Sequence, residues 1–259
     1  MNEKVILISV DGMRPDGFLS CGNPFIHELM KKGSYTLNAK TVFPSITLPC
    51  HMSMFHSVAP DRHGITTNLY MPPVRPINGL MEQIHMAGKK CAMFYGWEPL
   101  RDISRPESLT WASFINAYAD ENTDRILAED AVACIQKYAP DFVFLYMVET
   151  DDKGGHDNGW MTEEYLRRVS LAIDNIKMVL EQCPDYTVVI TADHGGHERI
   201  HGTELPEDMT IPMFFIGDAF TPGKELSGVS ILDLAPTIAD LMKVYPAPQW
   251  EGKSLLKAE

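Results

Sequence analysis

The chain has 259 residues, of which 45% are hydrophobic and 22% are charged. Such proportions are typical of a soluble globular protein, and they exclude a disordered chain, a collagen or a small disulfide-stapled domain. The formal net charge of −13 disfavours binding to nucleic acid and to anionic lipid, because like charges repel. If the chain acts on an anionic small molecule, bound divalent cations are the obvious means of reversing the local field.

The cysteine pattern and the hydropathy indicate the compartment. The five cysteines are scattered along the chain and form no C-x-x-C pair, which favours reduced thiols in a reducing environment. The N-terminus lacks a signal-peptide pattern, and no apolar run approaches the ~20 residues of a membrane span. We therefore expect a cytoplasmic protein that does not associate with membranes. The sequence does not indicate an oligomeric state.

Apolar runs and helical patterns alternate along the chain. They predict a strand at 5–10, a helix at 24–32, a strand at 35–43, helices at 47–55 and 77–87, a strand at 90–95, a helix at 123–138, a strand at 141–148, a helix at 162–181, strands at 186–191 and 211–216, and a helix at 231–242. Strands that alternate with helices predict an α/β fold with a mainly parallel sheet flanked by helices. No repeat or linker divides the chain, so we expect a single domain over residues 1–259.

Acidic residues follow three of the predicted strands directly. These are Asp11, the cluster at 150–152 and the pair Asp193 and His194. In an open α/β sheet, ligands bind outside the carboxyl ends of the strands. The three acidic positions are therefore expected to converge, although they are far apart in sequence.

The segment at 193–201 (DHGGHERIH) is the densest set of candidate metal ligands. It contains Asp193, His194, His197 and His201. Aspartate oxygen and histidine nitrogen together suit zinc, and manganese or iron less selectively. The two glycines allow the backbone to turn sharply around an ion. A polar surface loop is the alternative, but the position directly after a buried strand favours a metal site.

A second candidate cluster follows the strand at 141–148. Asp152 and His156 are four residues apart with two glycines between them, so one turn could bring both to the same ion. Asp151 competes with Asp152 for this role. Asp11 is the third element, because an aspartate at the end of a buried strand is costly unless it is paired or bound to a metal. Its alternative is a turn residue.

The segment at 43–51 (FPSITLPCH) offers a nucleophile. Thr47 stands where a helix should begin, and there its hydroxyl meets free backbone N–H groups and the positive end of the helix dipole. Coordination to a metal could activate this hydroxyl further. A simple N-cap is the alternative role for Thr47, and Ser45 and Cys50 are rival nucleophiles.

The order of five motifs resembles the alkaline phosphatase superfamily, specifically the type I phosphodiesterase/nucleotide pyrophosphatase family. The motifs are VILISVDG, FPSITLPCH, HGITTN, DKGGHDNGW and TADHGG, and they extend from residue 5 to about residue 202. The resemblance implies a three-layer alkaline phosphatase-like sandwich with a mainly parallel central sheet. It also implies two divalent metal ions, usually zinc, with manganese or iron as alternatives.

The resemblance implies a role for each matching residue. One metal would be held by Asp11, Thr47, Asp193 and His194, and the other by Asp152, His156 and His201. Thr47 would form a covalent phospho-enzyme, and Asn68 would donate a hydrogen bond to a phosphate oxygen. His197 competes with His201 for the last ligand position; His201 is preferred because Gly202 and Thr203 follow it, as in small members of the family.

The implied activity is hydrolysis of phosphodiester or phosphoanhydride bonds in a small-molecule phosphate ester, with nucleotides as candidate substrates. A phosphonate hydrolase or a phosphomonoesterase on the same core is an alternative, as is a non-catalytic binding protein. Monoesterases need an Arg or Lys near the metals to neutralise the extra phosphate charge. The core motifs show none that clearly does so, apart from Arg14, Lys153 or Arg199, so phosphodiesters are favoured.

Overall fold

The computed structural model describes residues 4–119 and 121–257. Its strands are β1 (Val5–Val10), β2 (Ser34–Lys40), β3 (Cys91–Tyr95), β4 (Trp111–Phe114), β5 (Phe142–Met147), β6 (Thr187–Thr191) and β7 (Thr210–Ile216). Its α-helices are α1 (Pro15–Ser20), α2 (Ile26–Lys32), α3 (Thr47–His56), α4 (Pro60–His63), α5 (Leu80–Met86), α6 (Thr123–Tyr138), α7 (Glu163–Gln182), α8 (Pro206–Met209) and α9 (Leu234–Leu241). Short 3₁₀ helices occupy Glu98–Ile103, Ile231–Asp233 and Leu255–Lys257, and Thr150–His156 is a π-helix.

The strands form one sheet in the order β2-β7-β6-β1-β5-β3-β4. Strands β6, β1, β5, β3 and β4 are parallel neighbours, whereas β7 pairs antiparallel with both β6 and β2. The α/β class and the flanking helices are therefore confirmed, and the sheet is mixed through β7. The sequence pattern could not show the direction of β7, because an apolar strand reads the same in either orientation.

Helices cover both faces of the sheet. Every residue of β1, β3, β5 and β6 is buried, which explains why these strands read as continuous apolar runs rather than as alternating ones. Helices α1, α6 and α7 pack together, and α3 packs with α4 and α9. Across the interface between α3 and the sheet, the ring of Phe55 meets the ring of Phe144 edge-on at 4.9 Å.

Several short elements were not predicted from the sequence, among them α1, β4 and the π-helix. Helix α1 is only six residues long and contains Gly17, and β4 is a four-residue strand at the sheet edge. Segments this short carry too little periodicity to be recognised. The π-helix was also missed, although the acidic cluster within it was identified. Within the described part of the chain, no helix combines the length and the apolar character needed to cross a membrane.

Candidate active site

The central strands β6, β1 and β5 are adjacent and parallel, so their carboxyl ends lie at one edge of the sheet. Asp11 follows β1 directly, Asp193 lies just beyond β6, and Asp151 lies in the π-helix that follows β5. Gly12 lets the chain turn away from β1 with φ of +65°, and a Cβ there would lie 2.9 Å from Asp151 Oδ1. The three acidic segments therefore converge as expected for this sheet edge.

Asp11, Asp193 and His194 form one candidate metal-binding group, and all three are buried. His194 Nε2 lies 3.3 Å from both Asp11 Oδ1 and Asp193 Oδ2. Thr47 Oγ1 lies 3.2 Å from the same nitrogen. Tetrahedral ligands bound to zinc at about 2.0–2.1 Å are about 3.3 Å apart, so the separations within this group suit one ion.

Asp151, His194 and His201 form a second candidate group next to the first. His201 Nε2 lies 3.9 Å from Asp151 Oδ1, and the rings of His201 and His194 stack with their centroids 3.9 Å apart. His156 approaches the other oxygen, with its Nε2 3.3 Å from Asp151 Oδ2. Because His194 belongs to both groups, the two candidate sites adjoin.

Three histidines, two in these groups and His156 beside them, are oriented in the same way. In each ring Nδ1 lies within hydrogen-bonding distance of a main-chain carbonyl oxygen, so that Nε2 is free to face the centre. The pairs are His194 with Gly195 at 2.8 Å, His156 with Arg199 at 2.9 Å and His201 with Ser45 at 2.8 Å. Histidines that bind metals almost always donate their second ring N–H to such a partner. The arrangement therefore fits three imidazole ligands.

The carboxylates of the site lack the hydrogen bonds that buried oxygens normally have. Asp11 Oδ1, Asp151 Oδ1 and Asp193 Oδ2 are buried and have no hydrogen-bond partner, an arrangement that is costly in a dry interior. Burial and then the charge of Asp193 raise the pKa of Asp11 well above its usual range. Burial and then the charge of Asp151 raise the pKa of Asp193 to about 8. Divalent cations would relieve both the desolvation and the repulsion, so the donor set fits bound metal.

The π-helix explains which aspartate faces the histidines. A π-helix contains about one residue more per turn than an α-helix, so residues five apart, such as Asp151 and His156, lie on the same face. Asp152 belongs to neither candidate group and instead lines the adjoining pocket. The four-residue spacing that favoured Asp152 assumes an ordinary turn. The geometry therefore puts Asp151, the alternative, rather than Asp152 beside the histidines.

The structure also separates His201 from its rival His197. His201 lies within the second candidate group, whereas His197 belongs to neither. His197 Nδ1 instead lies 2.7 Å from Oδ1 of the fully buried Asp208. Asp208 Oδ2 accepts further hydrogen bonds from the main chain and the hydroxyl of Thr203. The contacts of His197 thus hold the loop that carries His201.

Thr47 and Asn68 lie together at the pocket beside the carboxylates. Thr47 is the first residue of α3, so the positive end of the helix dipole adjoins its hydroxyl. Asn68 Oδ1 accepts a hydrogen bond of 3.0 Å from the Leu48 N–H. Because the side-chain oxygen is occupied, the Asn68 amide N–H₂ is the group available to a ligand.

The rival nucleophiles are placed differently. Ser45 is fully buried, and its hydroxyl donates to the Thr203 carbonyl at 2.8 Å. Cys50 is fully buried, and burial raises the pKa of its thiol far above the usual range. Neither residue lines the pocket that contains Thr47. A thiol held in its neutral form is a poor nucleophile.

Tyr146 is a residue of the site that the sequence analysis missed. Its buried hydroxyl donates a hydrogen bond to Asp11 Oδ2, which leaves Asp11 Oδ1 directed at His194. The phenol therefore fixes the orientation of the carboxylate. The signal was a tyrosine within the apolar strand β5, because a buried tyrosine hydroxyl usually needs a partner.

Trp160 is a second residue that the sequence analysis missed. Its indole N–H donates to the Gly12 carbonyl at 2.9 Å, and its ring lies edge-on to His156 at 5.3 Å. A Cβ at Gly155 or Gly196 would lie within 2.5 Å of this ring. The indole thus packs the three ligand-bearing segments together, and the two glycines are needed for its close approach.

Comparison with known proteins shows which family this chain resembles. The model of the type I phosphodiesterase/nucleotide pyrophosphatase family matches residues 5–200. The chain is 24% identical over 220 residues to ectonucleotide pyrophosphatase/phosphodiesterase family member 1 of Rattus norvegicus, covering 73% of this chain and 24% of that protein. It is 24% identical over 272 residues to the bis(5'-adenosyl)-triphosphatase enpp4 of Mus musculus, covering 93% of this chain and 55% of that protein.

The same fold is found in a solved structure. Murine ectonucleotide pyrophosphatase/phosphodiesterase 5, in an inactive form bound to AMP, superposes with a TM-score of 0.81 at 16% identity and covers 97% of both chains. The chain thus spans a quarter to about half of the curated relatives it matches, and the family match extends over most of its length. The chain belongs to the type I phosphodiesterase/nucleotide pyrophosphatase family of the alkaline phosphatase superfamily.

Proposed function

We propose that this chain is a phosphodiesterase/nucleotide pyrophosphatase that requires two divalent cations, with zinc favoured, and that uses Thr47 as its nucleophile. The observation that carries the proposal is the position of Thr47 Oγ1, 3.2 Å from His194 Nε2 and beside buried carboxylate oxygens that lack hydrogen-bond partners. A hydroxyl at a helix N-terminus next to a set of metal donors is the arrangement of an activated nucleophile.

The geometry supports a proposal of two ligand sets. Asp11, Thr47, Asp193 and His194 would hold one ion, and Asp151, His156 and His201 would hold the other. When bound, the ions would supply Lewis-acid stabilisation of the phosphate oxygens and would lower the pKa of a bound hydroxyl. Mixed oxygen and nitrogen donors favour zinc, and they also accommodate manganese or iron.

The chain's own groups position the phosphate for attack. Thr47 Oγ1 attacks phosphorus and gives up its proton to solvent, while the P–O bond to the leaving alcohol or phosphate breaks and that group takes up a proton; the other substituent stays on the phosphothreonine ester. The Asn68 amide, held by its bond to the Leu48 N–H, donates to a non-bridging oxygen. Such a preorganised donor stabilises the negative charge that develops in the transition state. Attack by water on this ester then releases the phosphomonoester that carries the remaining substituent and regenerates the Thr47 hydroxyl.

The charges of the pocket favour diesters over monoesters. Among its described lining residues there is no lysine or arginine, so a second negative charge on the phosphate would meet no side-chain cation. A nucleotide substrate is supported by the relatives, one of which is described as a bis(5'-adenosyl)-triphosphatase and another of which binds AMP. A preference for monoesters or phosphonates would keep the site and change the substrate class.

The test combines metal content with turnover. Elemental analysis of the purified protein should find about two zinc or manganese ions per chain, and bis(p-nitrophenyl) phosphate should be hydrolysed faster than p-nitrophenyl phosphate. Thr47→Ala should lose turnover and retain folding and most of its metal. The exposed Thr110 supplies the control, and Thr110→Ala should behave as the unaltered protein. Substantial diester turnover by Thr47→Ala would remove Thr47 from the nucleophile role.

A further inference from the structure

The pocket beside Thr47 has a wall that the ligand sets do not use. On that wall lie Trp97, Tyr118, Val148 and Asp152. Asp152 belongs to neither candidate metal-binding group, and its side chain is only partly buried. The wall thus combines two aromatic rings with a carboxylate that the proposed metal chemistry does not require.

The π-helix accounts for the presence of this carboxylate. Because the segment holds one residue more than an ordinary turn, Asp151 takes the ligand position and Asp152 is directed to the pocket. Tyr118 lies close to it: burial, followed by the negative charge of Asp152, raises the pKa of the Tyr118 phenol. The exposed phenol and the carboxylate therefore face the same space.

The described lining of the pocket offers Asp152 no basic side chain other than the histidines assigned to the metal site. The described residues around the pocket include no lysine or arginine, and Lys153 Nζ is 3.0 Å from Glu149 Oε1. A substituent that carries further phosphates would therefore be repelled from this wall. An alkylammonium group would be attracted both by the carboxylate and by the faces of the aromatic rings.

We propose that Asp152, Trp97 and Tyr118 form a subsite for a cationic substituent, so that the preferred substrates are zwitterionic phosphodiesters bearing an alkylammonium group. This inference rests on the proposed phosphodiesterase function and specifies its substrate class. The metal-bound centre would receive the anionic phosphate, and the wall would receive the cation. Substrates with a neutral substituent would gain only the aromatic contact.

Two isosteric diesters isolate the effect of the charge. One is p-nitrophenyl phosphorylcholine, and the other is p-nitrophenyl 3,3-dimethylbutyl phosphate, in which carbon replaces the quaternary nitrogen. The metal-loaded protein is assayed with each, and release of either alcohol is followed. We expect kcat/KM to be about tenfold higher for the cation, a ratio equivalent to ~1.4 kcal/mol. In Asp152→Asn the ratio should fall to about one.

A matched control completes the experiment. Asp157 is exposed and does not line the pocket, so Asp157→Asn should keep the tenfold ratio.

The outcomes separate this inference from the function on which it rests. Equal turnover of both isosteres by the unaltered protein, or a ratio that survives in Asp152→Asn, would overturn the subsite alone. The subsite would also be overturned if Asp152→Asn lost as much kcat/KM on the nucleotide diester p-nitrophenyl thymidine 5'-phosphate as on p-nitrophenyl phosphorylcholine. That result would assign Asp152 to nucleoside binding. No turnover of any diester would overturn the proposed function, and the subsite with it.

Discussion

Replacement of Asp151 should weaken metal binding, whereas the same replacement at the adjacent Asp152 should not. Asp151 Oδ1 is buried without a hydrogen-bond partner and lies 3.9 Å from His201 Nε2. Burial raises the pKa of Asp151, but the hydrogen bond from His156 and the nearby histidine charges outweigh burial and lower it overall. Asp151→Asn removes this charge and retains the size of the side chain.

The magnitude follows from linkage between binding and folding. Replacing an outer partner of a metal ligand costs 10–100-fold in affinity, so we expect loss of the ligand itself to cost about 100-fold or more. At a free metal concentration of about 100 times Kd, binding stabilises the native state by ~2.7 kcal/mol, and a 100-fold weaker site retains only ~0.4 kcal/mol. The loss of roughly 2 kcal/mol should lower the metal-induced rise in Tm by about 5–9 °C.

The assay is thermal unfolding of each variant with and without zinc, at one buffered free zinc concentration. The metal-induced rise in Tm is compared rather than Tm itself, because Asp151→Asn also removes a buried charge from the metal-free state. Asp152→Asn should keep the full rise to within about 2 °C, since exposed or partly exposed substitutions usually change stability by no more than about 0.5 kcal/mol. A full rise in Asp151→Asn together with a reduced rise in Asp152→Asn would refute the assignment drawn from the π-helix.

Three further predictions concern the same centre. His201→Ala should retain less zinc after dialysis than His197→Ala, because His197 contacts Asp208 rather than the candidate groups; the reverse order in elemental analysis would transfer the ligand role to His197. Tyr146→Phe should weaken zinc binding 10–100-fold in a chelator competition, because Asp11 loses the hydrogen bond that orients it. The control is Tyr186→Phe, since the buried Tyr186 donates to a carbonyl away from the site. Equal zinc affinities in the two Phe variants would contradict the role of Tyr146. In the metal-free protein the pKa of Asp193 is raised from 3.8 to about 8. The unfolded state therefore ionises first, and the free energy of unfolding should fall as pH rises from about 4 to 8. Urea unfolding across this pH range should show a flatter decline for Asp193→Asn, and an unchanged dependence on pH would argue against a buried, unrelieved charge.

Much of the fold and part of the site could be predicted from local patterns. Strands β1, β5 and β6 are long apolar runs, and the polar residues that end them mark the carboxyl edge of a parallel sheet. That reasoning placed Asp11, the cluster at 150–152, Asp193 and His194 near one another, and the structure brings them together. Thr47, which the family resemblance added to this set, also lies beside His194. The roles of these residues, and a cytoplasmic location, remain predictions.

The remaining features depend on contacts between distant parts of the chain. Asp151 and Asp152 are chemically identical neighbours, and only the π-helical turn directs one to the histidines and the other to the pocket. The partner of Tyr146 is Asp11, a residue on a neighbouring strand, so no local pattern could reveal that the phenol orients a carboxylate.

The sequence by itself determined the apolar strands, the helices between them and the order in which chemically active residues follow the strand ends. These features arise from interactions among near neighbours in the chain, which leave a periodic pattern. Tertiary structure decided the direction of β7, which of Asp151 and Asp152 faces the histidines, and the acidic and aromatic character of the pocket wall. The physical reason is that packing between distant parts of the chain decides which oxygens keep a hydrogen-bond partner. The Gly12 N–H donates to Asp193 Oδ1, and Asp193 Oδ2 is left as the buried oxygen without a partner.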